Sequence, residues 1–173
     1  MERPKILINK EQIADYVAQL ADQLREDYRS KDFLMIGILK GSFVFMADLI
    51  RALQIPLELD FIQISSYGSA KKSSGQIEIV QGLRARTEGR HIVIIEDIVD
   101  TGISLNFLLG YLAKQNPASV RICALLDKPS RRKMPVSIDY LGFTVPDKFI
   151  VGYGLDYDEQ FRFLSDICII NEN

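Results

Sequence analysis

The sequence holds one histidine, two cysteines and no surplus of positive charge, and each scarcity closes off a class of function. With His91 alone, histidine-based triads and multi-histidine metal sites are excluded, and its place at the head of an apolar run marks it as structural. Cys123 and Cys168 each lie inside an apolar stretch and lack metal-site spacing, so they read as buried, reduced thiols. Lys and Arg number 21 against 23 Asp and Glu, a net charge of −2. Nucleic-acid binding wants a clustered positive surplus. The densest basic run, Arg131-Arg132-Lys133, is expected to be a solvated loop. No apolar run reaches the ~18 residues of a membrane span. The opening stretch from Met1 to Lys5 shows no apolar core of a signal peptide. The expectation is a cytoplasmic protein with neither a membrane nor a nucleic-acid partner.

Two nucleotide-binding signatures are also missing. No G-x-x-x-x-G-K-[ST] appears, and no G-x-G-x-x-G follows a strand; Gly152-Tyr153-Gly154 lacks the third glycine. No repeat, linker or low-complexity stretch divides the chain. At 173 residues, 47% apolar and 25% charged, it reads as one globular domain spanning 1–173.

What is present is an alternation of strand and helix patterns. Asn9 and Gln12 have capping-box spacing. Ile13, Tyr16, Val17, Leu20 and Leu24 then share a helical face, and that helix ends near Arg29. "DFLMIGIL" (Asp32 to Leu39) is a continuous apolar run that fits a strand buried on both faces. The chain turns helical after Gly41. "LELDFIQIS" alternates as a strand, "SSYGSAKKSSG" (Ser65 to Gly75) is a polar loop, and "QIEIVQ" is a strand. "HIVIIE" is a buried strand. A helix starting at Ser104 puts Leu105, Leu108, Leu109 and Leu112 on one face and stops at Asn116-Pro117. "VRICALL" is another strand, and the tail from Ser137 is short strands and loops. Such alternation favours an α/β fold with a mostly parallel central sheet flanked by helices. Ligands then bind beyond the carboxyl ends of strands. Here those ends are Lys40-Gly41, Glu96 to Ser104, and Asp127-Lys128.

The middle of these ends carries two opposite signals. Glu96, Asp97 and Asp100 are carboxylates at the end of a buried strand. The loop Asp100-Thr101-Gly102-Ile103-Ser104 leads into a helix and offers backbone N–H groups and hydroxyls to an anion. The loop suits a phosphate; the acids suit Mg²⁺ or sugar hydroxyls. A ligand carrying a phosphate, a diol and magnesium satisfies both.

Here "VIIEDIVDTG" resembles the phosphoribosyl-pyrophosphate (PRPP) signature of the type I phosphoribosyltransferases. "LKGSFVFMADLIR", "SSYG…SSG" and "DKFIVGYGLDYDEQFRFL" follow the pattern of the hypoxanthine-guanine phosphoribosyltransferases, enzymes of purine salvage. The resemblance runs from about Ile36 to Ile170, and the last segment selects the 6-oxopurine branch. It implies a type I phosphoribosyltransferase fold with a core at about 30–130 and a purine-binding hood built from the N-terminal segment and 131–173. It implies a Mg²⁺-dependent transfer from PRPP to hypoxanthine or guanine, giving IMP or GMP and pyrophosphate, by a homodimer or homotetramer.

Residue roles follow from the same resemblance. Asp100 is the expected general base at purine N7. Asp100, Thr101, Gly102, Ile103 and Ser104 would hold the 5′-phosphate. Lys40, Gly41 and Arg162 would meet the pyrophosphate, with a non-proline cis peptide at Leu39-Lys40; without the family, Arg162 reads equally well as a surface ion pair with Asp158 and Glu159. Glu96 and Asp97 would hold ribose hydroxyls directly or through Mg²⁺-bound water, and Asp156 would support the metal. Lys128 would donate to the 6-oxo group, Phe149 would stack on the purine, and Ile150 would offer backbone groups to its edge. Ser66 and Tyr67 would ride on a lid. Two rival readings remain open. One is transfer to another base, with adenine and orotate enzymes expected to lack Lys128 and "KFIVGYG". The other is a PRPP-sensing regulator.

Overall fold

The computed structural model describes residues 4–67 and 76–170. A six-stranded sheet forms its centre, in the order β4-β3-β2-β5-β6-β7. The strands are β2 (Phe33–Leu39), β3 (Glu58–Tyr67), β4 (Gln76–Gln81), β5 (His91–Val99), β6 (Ser119–Asp127) and β7 (Tyr140–Thr144). All neighbours are parallel except β3 and β4. This is the expected α/β class.

Helices cover both faces. Helix α1 (Lys10–Tyr28) opens on a capping box: the Asn9 side chain accepts from the Gln12 amide, and the Gln12 side chain accepts from the Asn9 amide. Ile13, Val17, Leu20 and Leu24 of α1 pack with α2 (Phe43–Leu53) against Met35, Val93 and Ile95. Tyr16 shares their spacing but is 37% exposed, its ring 4.1 Å from that of Phe143. Helix α3 (Ile103–Ala113) sends Leu105, Leu108 and Leu112 onto the other face, against Leu34, Ile36, Ile92 and Ile94. Strand side chains alternate between faces, so β2 and the Ile92–Ile95 part of β5 are buried on both faces. That is why they read as unbroken apolar runs.

A second sheet joins distant parts of the chain. Strand β1 (Lys5–Ile8) pairs antiparallel with β9 (Ile167–Ile170), which pairs with β8 (Phe149–Val151). Cys123 and Cys168 are free and buried, and burial pushes the thiol pKa of each upward.

Several boundaries differ from the sequence expectation. Strand β5 does not stop at Glu96; it runs on through Asp97 to Val99, because β6 continues to offer backbone partners as far as Asp127. Strand β3 likewise takes in Ser65, Ser66 and Tyr67, paired with Glu78, Ile77 and Gln76. The expected polar loop is shorter by those residues. Its remaining positions, Gly68 to Gly75, lie outside the described residues. Helix α3 starts at Ile103, and the main sheet reaches Thr144, beyond the expected core limit of 130. In the basic run Arg132 is not solvated: its side chain is 18% exposed and paired with Asp127.

The strand order locates the binding crevice. From β2 the chain passes through α2 to β3 on one side, whereas β5 adds to the other side of β2 and leads outward to β6. Connections leave in opposite directions between β2 and β5, and such a switch point opens a crevice at the carboxyl ends of the two strands.

Candidate active site

The crevice is closed on one side by a turn with no room for a side chain. A Cβ on Gly41 would lie 1.8 Å from Oδ2 of Asp97, and a Cβ on Gly154 would lie 2.6 Å from the Gly41 carbonyl oxygen. Only glycines let the β2–α2 turn, the end of β5 and the segment after β8 meet. The buried Ser42 hydroxyl donates to the Ile38 carbonyl at 2.6 Å and braces the turn, and the Leu39–Lys40 peptide is cis, as expected.

Three carboxylates stand at the end of β5 in different surroundings. Asp97 is 8% exposed. Burial pushes its pKa up to about 6, against the pull of the Ile98 amide and the Arg162 charge. Glu96 is half-buried as a residue, but its Oε2 is enclosed and has no hydrogen-bond partner among the described residues. Burial, then the Asp97 charge, raises its pKa. Asp100 Oδ1 is enclosed in the same unpaired way, with Arg131 Nε 3.6 Å off.

The loop after Asp100 is shaped for an anion. Gly102 caps α3 at φ 78°, a left-handed conformation that favours glycine. A Cβ there would also lie 2.6 Å from the Met134 carbonyl oxygen. The amides of Ile103 and Ser104 open an 11-residue helix whose first turn holds no acid, so the positive end of its dipole is uncompensated.

Opposite lies a cluster of charge. Lys40 Nζ pairs with Glu159 Oε1 at 2.9 Å. Arg162 pairs with Asp156 at 2.8 Å and Glu159 at 3.2 Å, and donates to the Gly154 carbonyl at 2.8 Å. Lys40, then Arg162, holds the Glu159 carboxyl below its usual range. Arg162 therefore does make an ion-pair group, but with Asp156 and Glu159 rather than Asp158. Glu96, Asp97 and Asp156 are not brought together as a metal cage: neighbouring strand residues point to opposite faces, and Asp156 is drawn to Arg162. Among the described residues no group of three or more His, Cys, Asp or Glu could hold a metal.

The third strand end places a buried lysine beside apolar side chains. Lys128 is 5% exposed; its ammonium donates to the Lys148 carbonyl at 2.8 Å and has no carboxylate partner among the described residues. Phe149 stands edge-on to Tyr157, ring centroids 4.9 Å apart, and Ile150 is buried beside it. Ser66 and Tyr67 end β3; the rest of the expected lid lies outside the described residues.

Sequence reasoning missed Tyr157 and Arg132, and it gave Glu159 as a partner of Arg162 but not of Lys40. Tyr157 lay within a quoted motif, but nothing in its spacing marked a partner. A separate cavity of about 800 Å³, lined by Ile13, Val17, Phe43, Val44 and Phe163, shares only Arg162 with this constellation.

A model of the phosphoribosyl transferase domain matches residues 5–158. A hypoxanthine-guanine phosphoribosyltransferase of Bacillus subtilis (strain 168) is 45% identical over 166 residues, covering 96% of this chain and 92% of that protein. One of Mycobacterium tuberculosis (strain CDC 1551 / Oshkosh) is 44% identical over 168 residues, covering 94% and 83%. A solved hypoxanthine phosphoribosyltransferase from Staphylococcus aureus superposes with a TM-score of 0.92 at 40% identity, covering 96% of this chain and 91% of that one. The chain belongs to the phosphoribosyltransferases, a family of glycosyltransferases, and within them to the hypoxanthine-guanine branch.

Proposed function

We propose that the chain transfers the 5-phosphoribosyl group of PRPP to hypoxanthine or guanine, giving IMP or GMP and releasing pyrophosphate. The observation that carries the 6-oxopurine choice is Lys128: an ammonium 5% exposed, with one backbone acceptor and no carboxylate. A buried ammonium has three donors to satisfy. The 6-oxo group of hypoxanthine or guanine is an acceptor of that need, whereas the amino group of adenine would repel it.

The remaining groups take roles along the substrate. The 5′-phosphate rests on the amides of Gly102, Ile103 and Ser104, the hydroxyls of Thr101 and Ser104, and the backbone of Asp100. Asp100 accepts the purine N7 proton as the base bonds to the anomeric carbon; its enclosed Oδ1 accepts no hydrogen bond and has only the Arg131 charge 3.6 Å away. Lys40, the Gly41 backbone and Arg162 receive pyrophosphate, which exchanges for the carboxylates they hold. Phe149, with Tyr157 behind it, covers the purine face, and the Ile150 backbone meets its edge.

The donor set also fits magnesium. Mg²⁺ commonly takes only one or two carboxylates, completing its shell with substrate phosphates and water. Glu96 with its unpaired Oε2 and the buried Asp97 would hold the ribose hydroxyls directly or through metal-bound water, with Asp156 on the pyrophosphate side. When bound, Mg²⁺ neutralises the leaving pyrophosphate. Ser66 and Tyr67, the last residues of β3, are assigned to a segment that excludes water from the reacting sugar.

Self-association and cytoplasmic location complete the reading. Phe163 is 83% exposed beside the 800 Å³ apolar cavity, so one face carries both a knob and a socket. That is what a two-fold contact between copies needs. A charged sugar diphosphate does not cross a bilayer, so an enzyme that consumes it works where it is made. No helix among the described residues is long and apolar enough to cross a membrane.

The test is the initial rate of IMP formation from PRPP and hypoxanthine, with Mg²⁺ and after chelation. Mg²⁺-dependent IMP matched by equal pyrophosphate supports the reading. Bound PRPP without turnover would leave a PRPP-sensing regulator instead.

A further inference from the structure

The basic run expected to be a solvated loop instead delivers one arginine to the rear of the site. Arg132 Nε donates to the Asp100 carbonyl at 3.0 Å, and Nη2 donates to the Val99 carbonyl at 3.4 Å and pairs with the Asp127 carboxylate. Its side chain is 18% exposed and that of Asp127 16%. Val99 and Asp127 are cross-strand partners at the last rung of β5 and β6. The residue after each is the one that matters: Asp100 follows Val99, and Lys128 follows Asp127. The guanidinium thus spans the two strand ends at the point where the base and the purine donor leave the sheet. Lys128 is tied into the same knot, its amide donating to the Val99 carbonyl at 2.9 Å.

Resting on the function proposed above, we propose that Arg132, clamped by Asp127, is a positioning residue that sets the spacing between Asp100 and Lys128. The chemical reason lies in the purine. N7 and the 6-oxo group are neighbours on one edge, so a carboxylate at N7 and an ammonium at the 6-oxo group must stand at one particular separation. Strand pairing alone fixes the backbone up to Val99 and Asp127, not the residues beyond. A planar guanidinium with several donors in fixed directions can hold two carbonyls and a carboxylate at once; a lysine ammonium on a flexible stem cannot. The following residues lock the same region to the phosphate loop: the Lys133 and Met134 amides donate to the Thr101 carbonyl at 2.9 and 3.0 Å. A Cβ on Gly102 would lie 3.0 Å from Arg132 Cδ.

Arg90 provides an internal control. It is equally enclosed, at 14% exposure, and also bridges two carboxylates, Asp32 and Glu58, but at the opposite end of the sheet. The experiment measures kcat, KM for hypoxanthine and melting temperature for wild type, Arg132→Lys, Asp127→Asn and Arg90→Lys. Misplacing a reacting group by about 1 Å can cost on the order of a hundredfold. Arg132→Lys and Asp127→Asn are therefore expected to lose about ten- to a hundredfold in kcat, while Arg90→Lys loses melting temperature and keeps kcat. Because Arg132 acts through Asp100, adding Arg132→Lys to Asp100→Asn should cost far less than it does in wild type. If Arg132→Lys does not fold, Asp127→Asn tests the clamp with the arginine in place. Normal kcat in folded clamp variants, or fully additive losses with Asp100→Asn, would overturn the inference while leaving the proposed reaction intact. No turnover by wild type would overturn the reaction itself.

Discussion

Glu159 and Lys40, 119 positions apart, are joined by a 2.9 Å hydrogen bond across the mouth of the crevice. The other oxygen of Glu159 reaches Arg162 at 3.2 Å. One carboxylate thereby spans both cations assigned to pyrophosphate. On the proposed assignment, pyrophosphate displaces it from both. Replacing Glu159 by Gln removes the charge that the two cations share and leaves Arg162 paired with Asp156. Exposed pairs of this kind are weak, so pyrophosphate should become a tighter product inhibitor by about two- to fivefold. Inhibition constants for the two proteins check this; an unchanged or weaker constant would count against the exchange.

Asp100→Asn keeps the shape of the phosphate loop and removes the proton acceptor. General-base contributions are typically 10²–10⁴-fold, and a kcat loss of about that size is expected, with PRPP affinity by calorimetry nearly unchanged. Near-normal turnover would mean that another group takes the N7 proton.

Lys128 is 5% exposed, and its ammonium has one backbone acceptor and no carboxylate among the described residues, so a ligand acceptor would offset part of the cost of burying it. Lys128→Met fills the same space with an apolar chain of similar length. The melting temperature is expected to rise by about 2–4 °C, and hypoxanthine turnover to collapse through KM. Thermal melts and initial rates on the same preparation give both readings.

Asp60 shows a structural carboxylate on the same sheet. Burial raises its pKa, but amides of Ala85, Phe61 and Arg84 donate to it and outweigh burial, so its folded pKa lies below the usual aspartate range. The unfolded chain then binds more protons between the two values. Stability from this group is complete above about pH 4 and is lost as pH falls through the folded pKa. Asp60→Ala should cost about 2–3 kcal/mol near neutrality. In denaturant titrations the gap from wild type should close only below about pH 4.

Much of this could be read from the sequence, for definite reasons. Strand β2 and the Ile92–Ile95 part of β5 are buried on both faces and therefore announce themselves as apolar runs. Helix α1 begins on a capping box that Asn9 and Gln12 spell out. The Asp100-to-Ser104 loop is legible because Gly102 and a helix start stand together. What stayed hidden depends on partners far away in the chain. Strand β1 is four residues long and exists only because Ile167 to Ile169 pair with it. Asp97 to Val99 extend β5 because β6 supplies backbone, which side-chain polarity does not reveal. Arg132 looked like one of three interchangeable basic residues, yet only its fork meets Asp127 and the Asp100 carbonyl.

The account rests most heavily on the match between Lys128 and a 6-oxo group. The measurement that tests it directly is nucleotide formation from PRPP and Mg²⁺ with hypoxanthine, guanine, xanthine and adenine run in parallel. Turnover of hypoxanthine and guanine with none of adenine is the expected result. Adenine turned over at a comparable rate would contradict it, because the buried ammonium would then be facing an amino group without penalty.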